Sequence, residues 1–208
     1  MATPITLYFD LISPYAWLAL HAVDAIEQTT GREVIVTPVA FGAILKRHGQ
    51  RAPVDIPGKR AHILDDIRWR AAERGLPFTG PPVHPCNPLH GLRLCLAVAD
   101  PASRARLARA LADAAWAQGR DLQNAEVVLD VAGACGLPQA WAQAQLADPG
   151  IKQALIDTTE RTADSGVFGV PTFQLDGHLF WGNDRIEHLL AAARGDIPDG
   201  VLDGGRAN

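Results

Sequence analysis

Sulfur is scarce in this chain of 208 residues: three cysteines, Cys86, Cys95 and Cys135, odd in number and far apart. That excludes a disulfide framework and points to a reducing compartment, so a cytoplasmic location is expected. The seven histidines form no His-x-x-x-His pair and stand beside no Cys-x-x-Cys, so no metal-binding spacing is present. No apolar run approaches the roughly 20 residues of a membrane span. Charge of neither sign dominates, since 19 basic and 23 acidic residues leave a net charge of −4. Nucleic acid and anionic membranes are therefore not expected partners. The opening Met1-Ala2-Thr3-Pro4-Ile5 has no basic stretch, and no secretory signal is expected.

What is present is ordinary globular composition, 48% apolar and 20% charged, enough for one full core or two closely packed domains. Residues 4–9 read as a strand, 14–30 as a helix stopped by Gly31, and 33–39 as a second strand of the continuously apolar, buried type. A crossover of this length makes a parallel βαβ unit. Near the other end, Thr172–Leu175 and His178–Trp181 flank Asp176-Gly177, the signal for a two-residue type I′ hairpin. A helix from about Asp184 to Arg194 follows, with Ile186, Leu189, Leu190 and Ala193 on one face and Gly195 as its stop. Strand, helix, strand, then hairpin and helix is the thioredoxin arrangement.

Between these halves the sequence is Ala/Leu-rich and helical. Asn87-Pro88, Asp100-Pro101 and Asp148-Pro149 each pair an N-cap with proline at the first helical position, and Gly75, Gly119 and Gly136 act as breaks. These signals divide 59–165 into about six helices. Residues 77–88 hold five prolines and should be extended. Cys95 and Cys135 fall in apolar helical stretches as packing residues; Cys86, in His84-Pro85-Cys86-Asn87-Pro88, is left open. The predicted fold class is α/β, a thioredoxin fold with a large all-helical insertion. Residues 1–58 and 150–208 form the thioredoxin-like part, residues 59–149 the insertion, and the cleft between them is the default site. The Gly/Asp-rich stretch 199–208 reads as a mobile tail.

The chemistry concentrates in Asp10-Leu11-Ile12-Ser13-Pro14-Tyr15-Ala16-Trp17, on a strand-to-helix turn. In a thiol-disulfide oxidoreductase this turn carries Cys-x-x-Cys; here the two cysteine positions are Ser13 and Ala16. Ser13 and Pro14 are a good N-cap and first helical residue whatever else they do. The unpaired N–H groups and dipole of a helix start also stabilise a thiolate. Lowering a thiol pKa by ~2 pH units takes ~2.7 kcal/mol of preference for the anion, which a serine hydroxyl and nearby N–H groups can supply. The turn has no sulfur of its own, so the thiol must come from outside, and glutathione is the obvious supplier. The second half of the site is Gly166–Phe173. In a thioredoxin fold a cis Val170–Pro171 bond turns the Val170 backbone towards Ser13, where its N–H and C=O can pair with an extended peptide. Asn183 is then an N-cap. Asp184 and Arg185, an adjacent acid and base, suit the α-ammonium and α-carboxylate of a γ-glutamyl group. Gln50, Lys59 and Arg60 add donors and charge.

These motifs, with Gly49-Gln50, Ile56-Pro57-Gly58-Lys59, Phe168-Gly169-Val170-Pro171-Thr172-Phe173 and Phe180-Trp181-Gly182-Asn183-Asp184-Arg185, resemble kappa-class glutathione transferases and, more closely, bacterial 2-hydroxychromene-2-carboxylate isomerases. The resemblance covers nearly the whole chain. It implies Ser13 on the glutathione sulfur, Val170 and Pro171 at the cysteinyl backbone, and Asp184 and Arg185 on the γ-glutamyl end. It also implies Lys59 near the glycyl carboxylate, and Gln50 where kappa transferases have asparagine. It implies an isomerase of aromatic-hydrocarbon (naphthalene) catabolism, in which reversible thiolate addition converts a chromene hemiketal acid to the trans-benzylidenepyruvate. Lys59, Arg93 and Asn87 are the candidates for the small aromatic acid's carboxylate. Related proteins are often dimers, so a homodimer is a further expectation, though no stretch of this sequence marks an interface. Two alternatives stand beside this reading: a kappa-like transferase or peroxidase acting on other electrophiles, and a non-catalytic thioredoxin-fold binding module. A disulfide oxidoreductase is excluded unless Cys86 substitutes for the missing pair, because Ser13 and Ala16 cannot form a disulfide.

Overall fold

The structure, a computed structural model, describes residues 3–197; the expected tail at 199–208 lies outside them. Four strands, β1 (Ile5–Phe9), β2 (Val34–Pro38), β3 (Thr172–Leu175) and β4 (His178–Trp181), form one sheet in the order β2-β1-β3-β4. β1 runs parallel to β2 and antiparallel to β3, and β3 pairs antiparallel with β4. Tyr8 and Gln174, 166 positions apart, are therefore brought together by the register that sets Leu7 opposite Phe173. Ile5, Leu7 and Phe9 are fully buried, and the residues between them are half-buried. β2 shows the same alternation rather than the continuous burial expected, because Ile35 and Thr37 face a partly open side. Asp176 and Gly177 both have positive φ (49° and 85°), as a type I′ turn requires.

The helices are α1 (Pro14–His21), α2 (Val23–Thr30), α3 (Phe41–Arg47), α4 (Pro57–Glu73), α5 (Leu89–Ala97), α6 (Pro101–Trp116), α7 (Ala125–Ala134), α8 (Gln139–Ala147), α9 (Pro149–Asp164) and α10 (Ile186–Arg194). The thioredoxin fold and its helical insertion are thus both present. The single helix expected over 14–30 is two. At Ala22 the N–H reaches back to Ala19 O at 3.0 Å, an i−3 bond that interrupts the regular ladder. α3 was not anticipated; its first N–H, from Phe41, is held at 2.8 Å by Asp10 Oδ2, far back in sequence.

Asp100 and Asp148 cap α6 and α9 through the Ser103 and Gly150 N–H groups at 2.8 and 2.7 Å. Asn87-Pro88 behaves differently. α5 starts one residue late, at Leu89, with Pro88 in the cap position and Asn87 Oδ1 accepting the Leu89 N–H at 3.2 Å. One large core joins the sheet and α1 to the inserted helices, with Trp17, Trp116, Phe9 and Phe173 at most 1% exposed. Asp113 of α6 fastens α1 by accepting the Trp17 indole N–H at 2.7 Å and bonding His21 Nε2 at 2.6 Å.

Candidate active site

β1 ends at Phe9, and the chain must turn within four residues to start α1. Asp10 makes that turn. Its Oδ1 accepts the Ile12 N–H at 3.0 Å and its carbonyl accepts the Ser13 N–H at 3.0 Å. The carboxyl is almost fully buried, and that burial pushes its pKa up to about 6 despite the two backbone N–H groups it accepts. Leu11 O receives the Trp116 indole N–H at 3.0 Å and Ile12 O is 3.0 Å from His84 Nε2, so the inserted region grips the turn from outside.

Ser13 caps α1 in extended backbone, its Oγ accepting the Ala16 N–H at 3.2 Å. The hydroxyl lies 3.5 Å from Val170 O, too far to satisfy its proton fully. Pro14 has no N–H, so Tyr15 supplies the one donor of the first turn left without a partner among the described residues. The Val170–Pro171 bond is cis, as expected, and the Val170 N–H also has no partner among the described residues. The three residues that carry these donors line one cavity, where an extended thiol peptide was expected.

Two cavities meet there, sharing Tyr15, Val170 and Trp181 as walls. One, about 330 Å³, is largely apolar and is lined by Ser13, Phe41, Leu45, Ile63 and His84 among others. The other, about 390 Å³, is polar and is lined by His62, Asp66, Arg70 and the segment Gly182–Arg185. Tyr15 stands between them with its hydroxyl donating to Asp66 Oδ2 at 2.8 Å, and Arg70 Nε donates to the same oxygen at 2.8 Å. Burial works against the Asp66 carboxylate, but the bonds from Arg70 and Tyr15 outweigh it and hold its pKa below the usual range. Burial, then Asp66, pushes the Tyr15 phenol well above its ordinary value, so it stays a donor.

Of the residues singled out from sequence, Ser13, Val170, Pro171, Asn183, Asp184 and Arg185 come together around these cavities. Asn183 does not cap a helix. It lies inside a 3₁₀ turn (Asn183–Arg185), buried, with Oδ1 accepting from both terminal nitrogens of Arg74 at 3.3 Å and Nδ2 without a partner among the described residues. Asp184 and Arg185 pair with each other at 2.8 Å; both are about half exposed, and such a pair is worth at most ~1 kcal/mol, so a zwitterionic ligand can open it.

Gln50, Lys59, Asn87 and Arg93 line neither cavity. Lys59 is exposed one helical turn before Ile63, which lines the apolar cavity. Gln50 is exposed just beyond α3, its N–H donating to Leu45 O at 2.9 Å. The Asn87 side chain is spent opening α5, and Arg93 of α5 has a buried Nε without a partner. Cys86 is 8% exposed and its thiol is pushed up to about 11 by burial and then by Asp10, so at neutral pH it is a protonated packing residue rather than a nucleophile. Sequence reasoning missed His62, Asp66, Arg70 and Arg74. Their spacing of four places the first three on one stripe of α4 with Arg74 continuing it at the C-cap, a pattern that was readable although its target was not.

The description "DSBA-like thioredoxin domain" matches residues 4–194. The chain belongs to that family. Within the DSBA-like thioredoxin proteins it is 26% identical to glutathione S-transferase kappa 1 of Homo sapiens, over 95% of either chain. It is also 26% identical to 2-hydroxychromene-2-carboxylate isomerase of Sphingobium xenophagum, over 91% of this chain and 97% of that one. A solved structure of a 2-hydroxychromene-2-carboxylate isomerase superposes with a TM-score of 0.86 at 21% identity, covering 93% of this chain and 95% of that one. At that identity the superposition shows the fold.

Proposed function

We propose that this chain is a glutathione-dependent enzyme that isomerises a conjugated aromatic keto acid of the 2-hydroxychromene-2-carboxylate type. The observation that carries the reading is that Ser13, Tyr15 and Val170 line the apolar cavity where it meets the polar one, the Tyr15 and Val170 N–H groups having no partner among the described residues. The residues fit glutathione. The polar cavity holds two carboxylates, two guanidinium groups and the orphaned Asn183 amide, a donor and acceptor set matched to a free amino-acid end. When glutathione is bound, Asp184 and Arg185 would hold the γ-glutamyl end there, Val170 would pair with the cysteinyl backbone, and Lys59 would serve the glycyl carboxylate.

When bound, glutathione would supply a thiolate, the reversible nucleophile that cis–trans isomerisation of a conjugated keto acid needs. Ser13 and Tyr15 hold the sulfur as the anion. The apolar cavity excludes water and takes the aromatic ring, and Trp181 covers the junction. A second reading, a kappa-like transferase for uncharged electrophiles, draws support from the absence of lysine and arginine, among the described residues, in the apolar wall.

One assay separates the readings. The hemiketal acid is incubated with enzyme and catalytic glutathione, and the trans keto acid is followed optically. Many turnovers per glutathione are expected. Stoichiometric consumption of glutathione, or an untouched acid while aryl halides react, replaces the isomerase with the transferase. No glutathione binding at all leaves a binding module.

A further inference from the structure

His84 lines the apolar cavity together with Ser13 and has no part in the thiol chemistry. Its ring is fixed on several sides. Nε2 is 3.0 Å from Ile12 O, the ring lies edge-on to Trp116 at 5.2 Å, and Arg60 holds the residue's own carbonyl at 2.9 Å. A carbonyl oxygen only accepts, so Nε2 must carry the proton and the neutral ring is left with a bare lone pair on Nδ1. That nitrogen has no partner among the described residues and is not among the polar atoms sealed from solvent.

The other polar side chains in this wall are poor proton acceptors or lie at its edge. The Ser13 hydroxyl is turned to Val170 O and already accepts the Ala16 N–H, the Tyr15 phenol donates to Asp66, and Asp55 is solvent-exposed. Burial, and then the Arg60 charge, lower the His84 pKa, partly offset by the Ile12 carbonyl, so the ring is neutral at pH 7.

We propose that His84 Nδ1 is the proton carrier that opens a hydroxylated cyclic substrate in the apolar cavity. This rests on the isomerase reading and adds a step to it. Nδ1 takes the hemiketal hydroxyl proton, and the O–H electron pair becomes the ketone C=O. The ring C–O bond breaks with its pair on the phenolic oxygen, and the imidazolium returns the proton to that oxygen. No oxidant or second proton source is needed. An imidazolium acidified by burial suits the return of the proton to a phenolate.

The test is His84→Gln, whose amide N–H replaces the bond to Ile12 O but cannot take a proton. In the glutathione-loaded protein, 2-hydroxybenzaldehyde should bind about three- to tenfold more tightly than 2-methoxybenzaldehyde in the wild type, and equally in His84→Phe, which keeps a ring there but has no acceptor, whereas the Gln amide oxygen can still accept a hydrogen bond. For turnover, kcat on the cyclic hemiketal should fall about 100-fold or more in His84→Gln, and the acid limb of its pH profile should vanish. Isomerisation of the open-chain cis methoxy analogue, which has no proton to give, should change less than about twofold. Equal losses on both substrates would make His84 a structural brace and overturn the proposal, as would no loss on either or no phenol preference in the wild type. A wild type that isomerises neither substrate overturns the isomerase reading itself, and this step with it.

Discussion

Removing one oxygen atom at Ser13 should separate two roles that the structure superimposes. In Ser13→Ala the Ala16 N–H loses its cap, a bond already long at 3.2 Å, and the 3.5 Å approach to Val170 O disappears with little consequence. Loss of an N-cap costs about 1 kcal/mol, which for a chain of this size lowers the melting temperature by about 2–4 °C. The effect on bound thiol is larger. A hydrogen bond to a charged group is worth roughly 1.5–3 kcal/mol, so the pKa of bound glutathione should rise by about one to two pH units. The Tyr15 N–H remains at the helix start, so the thiol should stay somewhat more acidic than in free solution. Ultraviolet absorbance of the thiolate, titrated against pH in the complex, reads this directly, while calorimetry reads the stability. An unchanged thiol pKa with normal turnover would refute the argument and leave Ser13 as a helix cap alone.

Three further outcomes are expected. Asp10 is protonated more readily folded (pKa about 6) than at its ordinary 3.8, so the folded state binds the extra proton between those values and this group's contribution to stability falls as pH rises through them. Wild type minus Asp10→Asn stability should therefore be about 3 kcal/mol higher at pH 3 than at pH 7, and denaturant titrations giving a flat difference would sink the idea. Tyr15→Phe keeps the wall between the cavities but removes the 2.8 Å bond to Asp66; carbon-detected NMR titration should show the Asp66 pKa rising, with about 1 kcal/mol of stability lost, and an unmoved Asp66 contradicts this. In Gly169→Ala the new methyl meets the Trp181 ring, with Cε2 and Cδ1 only 3.1 and 3.2 Å away. Because Trp181 is half exposed, the ring should swing out at a cost under about 1 kcal/mol, red-shifting its fluorescence and weakening glutathione binding about tenfold; unaltered affinity would show that Trp181 does not cover the junction.

What the sequence by itself determined is local. Ser13-Pro14 starts a helix, Asp176-Gly177 turns a hairpin, Asp100 and Asp148 cap α6 and α9, and proline-rich 77–88 stays out of helix. Each depends on residues a few positions apart, whose backbone preferences hold wherever the segment lies. The missing cysteine pair at positions 13 and 16 was equally legible, because it is an identity and needs no geometry. The tertiary structure decided the rest. Asp66 meets Tyr15 across 51 residues, His84 meets Ile12 across 72 and Arg74 meets Asn183 across 109, and no periodicity announces such meetings. The stripe His62-Asp66-Arg70-Arg74 reads in sequence as an ordinary charged helix face. Only packing of α4 beside α1 turns it into the wall of a polar cavity. Likewise α3 follows a short apolar stretch that predicted nothing; it forms where the buried Asp10 carboxylate receives its first N–H. Chain-local preferences fix elements and their ends, whereas a site needs charges and donors brought together from distant segments, and that is set by which surfaces the folded core leaves facing one another.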